Sequence, residues 1–215
     1  MKGRIVLVSF LLSMSSPAWA GPVSYGIKGG LTLATMSQNS AYEALVPFET
    51  RTGWSAGVFA LSPIDNSFSI QADLLYVSRG ASLGKSEIRG PSGEDLGTFE
   101  TFLKRDDLDV GVRARYTIAP GAKIQPYLVA GPAVSIELSE KFTTDPSNDI
   151  LSGSSTLLKS LGVVVTFGAG TEIPIGSGRW LVEANYDLGV NDLAEDFVNG
   201  SLHSSTWRFM TGYHF

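Results

Sequence analysis

The feature that most constrains this chain is a two-residue alternation of apolar and polar side chains, which begins after residue 22. The alternation is clearest in residues 68–76, 108–118, 180–189 and 207–215, and less regular in residues 25–33, 53–61, 124–138 and 161–172. A period of two belongs to β-strands, whose successive side chains point to opposite faces. The pattern therefore predicts an all-β fold of eight strands.

The connections between these segments alternate in length. Short ones rich in Pro, Gly, Asp and Asn, as is typical of tight turns, lie near residues 62–67, 119–123 and 174–179. Longer ones lie near residues 35–51, 79–106, 139–157 and 190–204. This alternation is expected of an eight-stranded antiparallel up-and-down barrel whose two termini lie on the side of the short turns.

The first 20 residues have the composition of a cleavable signal peptide. A basic segment precedes an apolar stretch at residues 5–12, and small residues stand at Ala18 and Ala20, before the expected cleavage point. A membrane-spanning helix needs about 20 apolar residues, and serines and a proline interrupt the run before that length. We therefore expect a signal peptide at residues 1–20 and one mature domain at residues 21–215.

Charge and cysteine content exclude several classes of function. The chain has 16 Lys and Arg against 21 Asp and Glu, and the signal peptide carries two of the basic residues. No basic run interleaved with aromatic residues is present, so we expect no nucleic-acid partner. The chain has no cysteine, which excludes disulfides, thiolate catalysis and cysteine-ligated metals.

Volume indicates which face of the barrel meets the surroundings. The aromatic residues of the alternating segments are expected on one face, together with Leu, Ile and Val. An eight-stranded interior is only just wide enough for a filling of side chains or one small ligand. It therefore cannot contain all of these aromatic and aliphatic side chains. We therefore expect the aromatic face to meet lipid and the glycine-rich, charged face to line the lumen, in preference to a soluble carrier with an apolar pocket. Aromatic girdles are expected at Phe68, Trp180, Tyr213 and Phe215 on the periplasmic side and at Trp54, Tyr76 and Trp207 on the outer side.

Several segments carry a resemblance to a known family. They are Ala18-Trp19-Ala20, residues 125–132 (QPYLVAGP), residues 167–172 (FGAGTE) and a closing strand that ends on Phe215. Together they resemble the small outer-membrane β-barrel family that includes the OmpA transmembrane domain and OmpX. The resemblance implies a barrel in the cell outer membrane with periplasmic termini, in contact with lipid and lipopolysaccharide. It also implies a terminal Phe that the barrel-assembly machinery reads, but it leaves the activity open.

The inward charges are the first candidates for a functional site. Unpaired charges in such a lumen are costly, and removing one partner of a buried pair costs about 3–5 kcal/mol. We therefore favour a plug of ion pairs over a permeation path or catalytic carboxylates, and we expect Asp187 to pair with Arg208. The predicted lumen network comprises Lys28, Asp73, Arg113, Arg115, Glu172, Glu183, Asp187 and Arg208, with Asp107, Asp109, Glu137 and His214 also inward.

Two further groups resemble known chemistry only weakly. His203 with Ser204 and Ser205 and nearby acids has the components of a hydrolase, but no nucleophile elbow or oxyanion device accompanies them. The acidic clusters near residues 145–149 and 192–196 lack the ligand spacing of an EF-hand. Gly29-Gly30 and residues 90–93 (GPSG) are not followed by the Gly-Lys-Ser/Thr of a phosphate-binding loop. We therefore expect no metal site, no cofactor and no catalytic site.

The sequence accordingly predicts a non-enzymatic integral outer-membrane barrel that anchors extracellular loops for surface interaction or envelope integrity. The alternatives are a narrow passive pore and an outer-membrane lipid-modifying hydrolase. The longest predicted loop, residues 79–106, mixes both signs of charge with two phenylalanines, so it is the first candidate for contact with an extracellular partner. Those residues are Lys85, Glu87, Arg89, Glu94, Asp95, Phe99, Phe102 and Lys104.

Overall fold

The computed structural model describes residues 22–39, 49–89, 95–145, 161–190 and 201–215. It describes side chains for residues 22–35, 50–79, 104–139, 161–190 and 205–215. The strands are β1 (Ser24–Asn39), β2 (Glu49–Pro63), β3 (Phe68–Arg89), β4 (Asp95–Thr117), β5 (Gln125–Asp145), β6 (Leu161–Ile175), β7 (Gly178–Gly189) and β8 (Ser201–His214). Within the described part, no helix is long and apolar enough to cross a membrane.

The eight strands close into one antiparallel barrel, which confirms the predicted up-and-down topology. Each strand pairs with its sequence neighbours, and β8 returns to pair with β1 from Gly26↔His214 to Asn39↔Ser201. The Phe215 N–H donates a hydrogen bond to the Tyr25 carbonyl at 2.8 Å and extends this seam to the last residue. Closure leaves no free sheet edge within the barrel wall, so all strands in the membrane can satisfy their backbone groups.

The predicted alternation decides which side chains face outward. Among the predicted girdle residues, Trp54, Phe68, Trp180, Trp207 and Phe215 are 40–66% exposed on the outer surface of the barrel. Tyr76 and Tyr213 are half-buried because each packs on a neighbouring ring. Trp54 stacks on Tyr76 with ring centroids 4.7 Å apart, and Tyr213 meets Phe215 edge-on at 5.3 Å.

Two aromatic residues break the expected restriction to one face. Phe59 and Tyr127 point into the lumen and are 2% and 1% exposed. The directly registered partner of Phe59 is Gly26, and that of Tyr127 is Gly170. A Cβ on either glycine would collide with the opposing ring, so the missing side chain makes the space that each ring fills.

The short turns are held by their own hydrogen bonds. In the turn from β2 to β3, the backbone N–H groups of Phe68 and Ser67 donate to the Asp65 carboxylate at 2.7 Å, and they lower the pKa of that carboxyl. The next two turns have Gly121 and Gly176 at φ of 82° and 64°, a backbone region that glycine adopts readily.

The prediction of a long loop at residues 79–106 is wrong, because most of these residues lie in strands. β3 and β4 have 22 and 23 residues and stay paired from Phe68↔Tyr116 to Arg89↔Asp95. A transmembrane strand needs about 9–11 residues, so this hairpin extends well beyond the lipid-facing band. The apolar–polar alternation of the sequence does not extend through this stretch, although the strands continue. The other predicted loops are shortened in the same way, because β1, β2, β5 and β8 also run into them.

Candidate functional site

Inward side chains from every strand fill the lumen. The described side chains that form ion pairs there include cations and anions in equal number. The cations are Lys28, Arg79, Arg105, Arg113, Arg115, Arg179 and Arg208, and the anions are Asp73, Asp107, Asp109, Glu137, Glu172, Glu183 and Asp187. They form three groups along the barrel axis, and all but Glu137 and Arg179 are buried.

The periplasmic group is centred on Glu172 of β6. Arg115 from β4 reaches it at 2.9 Å and Arg179 from β7 at 3.1 Å. His214 Nδ1 lies 3.2 Å from the same carboxylate, in a geometry that is not a hydrogen bond. On its other side, His214 Nε2 is 2.7 Å from Ser24 Oγ in β1. This group therefore connects β4, β6, β7 and β8 through Glu172, and the contact of His214 with Ser24 links β8 to β1.

Ser24, His214 and Glu172 are the residue types of a catalytic triad, but the charges around Glu172 do not suit that role. A triad acid must stabilise the imidazolium that forms during catalysis. Here two guanidinium groups already neutralise the carboxylate, and they would oppose a positive charge on His214. The arrangement is better suited to holding strands together than to activating a nucleophile.

The middle group is a ring of two cations and two anions. Lys28 Nζ lies 2.8 Å from Asp73 and 3.1 Å from Glu183. Arg113 lies 2.7 Å from Asp73 and 3.4 Å from the same Glu183 oxygen. Asn185 donates to Glu183 at 2.7 Å and accepts from Arg113 at 3.1 Å. Each charge thus has two partners of opposite sign, contributed by β1, β3, β4 and β7.

Tyr127 connects the periplasmic and middle groups. Its hydroxyl donates to Glu183 at 3.0 Å, and the guanidinium of Arg115 lies 3.7 Å from the centre of its ring. A cation stacked on an aromatic face is stabilised by the ring quadrupole. The ring therefore lies between two layers of charge and contacts both.

The outer group is centred on Arg79 of β3. Its guanidinium reaches Asp109 at 2.5 Å, Asp107 at 3.1 Å and Asp187 at 3.4 Å. Asp187 also accepts from Arg208 at 2.7 Å, the pair expected from the sequence. Three carboxylates from two strands thus share these two guanidinium groups, and Asp107 also pairs with Arg105 at 2.7 Å.

An apolar cluster occupies one side of the lumen. Leu75, Val77 and Met210 are at most 2% exposed and pack together. The strands of this cluster, β3 and β8, also carry charged lumen side chains, namely Asp73, Arg79 and Arg208. The described lumen is therefore lined by buried apolar side chains as well as by ion pairs.

All eight residues of the predicted lumen network lie inside the barrel. Sequence reasoning missed Arg79 and Arg105, because both fell in the stretch read as a loop. Arg105 pairs with Asp107 at 2.7 Å and with Glu137 at 3.8 Å. The signal that could have found them is parity, since Arg79 continues the inward positions of β3 after Asp73.

Other candidates fall partly or wholly outside the described side chains. His203 and Ser204 lie on the backbone of β8, but their side chains are not among those described. Residues 146–149 and 192–196, which contain most of the acidic loop clusters, are outside the described residues. Among the described side chains, no group of His, Cys, Asp or Glu could hold a metal ion.

A charge swap tests whether Asp187 is shared between Arg208 and Arg79, and we expect the swap to fail. A guanidinium at position 187 would face Arg79, so the double variant Asp187→Arg, Arg208→Asp should be no more stable than either single variant. The apolar pair Asp187→Leu, Arg208→Met should be more stable than Asp187→Leu alone, because it leaves no stranded partner. Urea midpoints in lipid vesicles measure both, and full recovery by the swap would contradict the shared outer group.

Comparison with known proteins gives a family match and several structural likenesses. A family model described as an outer membrane protein beta-barrel domain matches residues 14–195. Neisserial surface protein A is 12% identical with a TM-score of 0.52, over 90% of this chain and 98% of that chain. Ail of Yersinia pestis, solved with the heparin analogue sucrose octasulfate, is 12% identical with a TM-score of 0.45, over 91% of this chain and all of its own.

OprG from Pseudomonas aeruginosa is also 12% identical, with a TM-score of 0.46, over 89% of this chain and 95% of that chain. No curated protein matches the sequence. At such identities the structural likeness concerns the fold alone.

Proposed function

This chain belongs to the outer membrane protein beta-barrel domain family, and on that premise we propose that it is a non-enzymatic anchor that presents its outer strands and loops for surface interaction or envelope integrity. Residues 1–20 are the signal peptide in this proposal, and residues 21–215 are the mature barrel. Both termini lie on the periplasmic side, and the barrel-assembly machinery reads the closing strand that ends on Phe215. The lipid-facing surface contacts outer-membrane lipid and lipopolysaccharide.

The projecting hairpin of β3 and β4 is the observation that carries the proposal. Paired strand continues to Arg89↔Asp95, far beyond the outward charged pair of Lys104 and Asp106, whose side chains lie 3.4 Å apart. An outward ion pair is unfavourable in hydrocarbon, so it marks the outer end of the lipid-facing band on β4. The paired strand above it is available to a partner outside the cell.

The filled lumen supports an anchor more than a pore. Ion pairs and apolar side chains together cross the described lumen, and eight strands leave little space for water. An open path would require several buried pairs to separate, each at a cost of several kcal/mol. The barrel in this proposal supplies a stable support, and recognition is left to the outer end.

Shortening the hairpin tests the anchor function directly. Replacement of residues 83–101 by Asn-Gly would join Ser82 to Phe102, which are registered partners, with a two-residue turn suited to a hairpin. We expect most binding to cultured epithelial cells or immobilised matrix proteins to be lost, together with unchanged heat-modifiable gel mobility. A control variant keeps the strands and replaces only residues 90–94 by Gly and Ser. It distinguishes binding that depends on these connecting residues from binding that depends on the paired strands.

Equal binding, and equal detergent resistance of the outer membrane, by the shortened and parent chains would argue against the anchor. Two further measurements address the alternatives. Conductance of the purified barrel in planar bilayers would support the passive pore. A change in the lipid A or phospholipid profile of the cells on His203→Ala would support the hydrolase.

A further inference from the structure

An open groove crosses the outer surface of the barrel where β8 closes against β1. Its floor consists of small outward residues, because Ala56, Gly29 and Thr211 are registered partners on β2, β1 and β8. It continues onto β7 and β6, where Ala184 stands opposite Ala169. Its two parts, which share Gly29 and Thr211, have volumes of about 660 and 520 Å³, within the range of about 300–1,000 Å³ that small-molecule sites occupy. We call it the seam groove.

Larger side chains form the two walls of the seam groove. Leu31 and Phe209 stand along its outer side, and Ile27 and Trp180 stand along its periplasmic side. The Trp180 Nε1–H donates to the Thr211 hydroxyl at 2.7 Å, and that hydroxyl donates to a backbone carbonyl of β7 at 3.1 Å. The indole is therefore held in place, and these polar groups are satisfied without a ligand. The groove presents a preformed, mainly apolar lining.

The seam groove runs obliquely through one half of the membrane. From β6 to β2 it crosses four strand spacings, or about 19 Å. On β6 it begins at Thr171, four residues from the periplasmic end of the strand at Ile175. On β2 it reaches Ala56, seven residues from the periplasmic end at Pro63. It therefore rises toward the middle of a hydrocarbon core that is about 30 Å thick, and its length and depth suit one acyl chain of the inner leaflet.

Thr171 offers a polar contact at the periplasmic end of the seam groove. Its hydroxyl oxygen has no hydrogen-bond partner among the described residues, which is unfavourable in hydrocarbon. Thr171 lies two residues inside Ile173, the registered partner of the interfacial Trp180, and the ester carbonyls of phospholipids lie near this depth. After rotation to another staggered rotamer, the hydroxyl can donate to such a carbonyl.

We propose that the seam groove binds one acyl chain of an inner-leaflet phospholipid, and that Thr171 donates to the ester carbonyl of that lipid. This lipid differs from the others around the barrel because it lies between fixed walls and exchanges slowly. The inference goes beyond the proposed anchor function, since it concerns the lipid-facing surface and not the outer end.

A second copy of the chain is a poorer occupant of the seam groove. Two copies with the same orientation in one membrane are related by an axis along the membrane normal, which brings the same patch of each copy together at equal depth. Groove would then face groove, and the walls at Phe209 and Trp180 would meet their own equivalents. A flexible hydrocarbon chain fills the floor between these walls without that conflict.

Native mass spectrometry of the barrel, extracted from outer membranes in mild detergent, measures the lipid that stays bound. We expect one phospholipid on the parent barrel. Ala56→Leu together with Ala184→Leu fills the groove and should lower the retained fraction about tenfold. Thr171→Val keeps the shape of the side chain and should lower it about threefold, as expected for one neutral hydrogen bond. Ala72→Leu is the matched control, because Ala72 is exposed on the outward face of β3 and lies outside the groove.

A parent barrel that retains no phospholipid, or equal retention by the filled and control variants, would overturn the proposal. Retention of lipopolysaccharide in place of phospholipid would overturn it as well, and so would a lipid-free dimer that the filling side chains abolish. Heat-modifiable gel mobility verifies that each variant is folded. None of these outcomes depends on whether the outer hairpin binds a partner.

Discussion

Replacement of Glu183 by alanine should lower the free energy of unfolding by about 3–5 kcal/mol, the usual cost of breaking a buried ion pair. Glu183 is the carboxylate that Lys28 and Arg113 share at 3.1 and 3.4 Å, and it is 2% exposed. Its removal leaves two buried cations with Asp73 as the remaining carboxylate of the middle group. The hydroxyl of Tyr127 also loses its acceptor, which adds an unsatisfied polar group.

Urea titration of the barrel in vesicles, followed by gel mobility without boiling, measures this loss. The double variant Lys28→Met, Glu183→Leu is the control, because it removes one cation together with the carboxylate and should recover part of the stability. A Glu183→Ala variant within 1 kcal/mol of the parent would mean that the middle group contributes little to stability.

The largest steric effect is expected at Gly30, and its neighbour provides a matched control. Gly30 faces the lumen, where a Cβ would overlap the Phe209 carbonyl oxygen of β8 and lie 2.7 Å from the Met210 Cα. Gly29 faces outward, and the nearest atom to its Cβ would be the Ser55 carbonyl oxygen at 3.4 Å. Backbone cannot move aside as a flexible side chain can, so the collision at Gly30 should disturb the closing seam.

We therefore expect Gly30→Ala to cost about 1–3 kcal/mol, the usual range for overpacking, and Gly29→Ala to change stability by less than about 0.5 kcal/mol, as surface substitutions usually do. Gly30→Leu should prevent closure, which would appear as loss of the heat-modifiable band. Equal stability of the two alanine variants would show that the seam can widen without cost.

The sequence was sufficient to predict the barrel because lipid imposes its pattern on the outward face. In β7, Trp180 and Val182 face outward while Glu183 and Asp187 face inward, as their alternation indicates. The same reasoning placed Lys28, Arg113 and the other network residues inside. Which cation meets which anion was not predictable in general, because several pairs, such as Lys28 with Glu183, join strands that are far apart in sequence.

The misses have physical causes that concern particular residues. Arg79 was read as loop because the alternation ends where the outward face leaves lipid, although the strand continues. Phe59 and Tyr127 point inward because Gly26 and Gly170 stand opposite them. The alternation within one strand cannot reveal that a glycine on the neighbouring strand makes room for an inward ring. That relation appears only when the register between the strands is known.

The ion pairs of the lumen also impose a condition on how the barrel is completed. Lys28 of β1 meets Glu183 of β7, and Arg115 of β4 meets Glu172 of β6, so several of these pairs join strands that are not neighbours in the barrel. A sheet that lacks its last strands would hold unneutralised charges on the face that later becomes the lumen. Insertion of such a sheet into hydrocarbon is unfavourable, so the network favours the finished barrel and discriminates against chains that are truncated or closed in the wrong register.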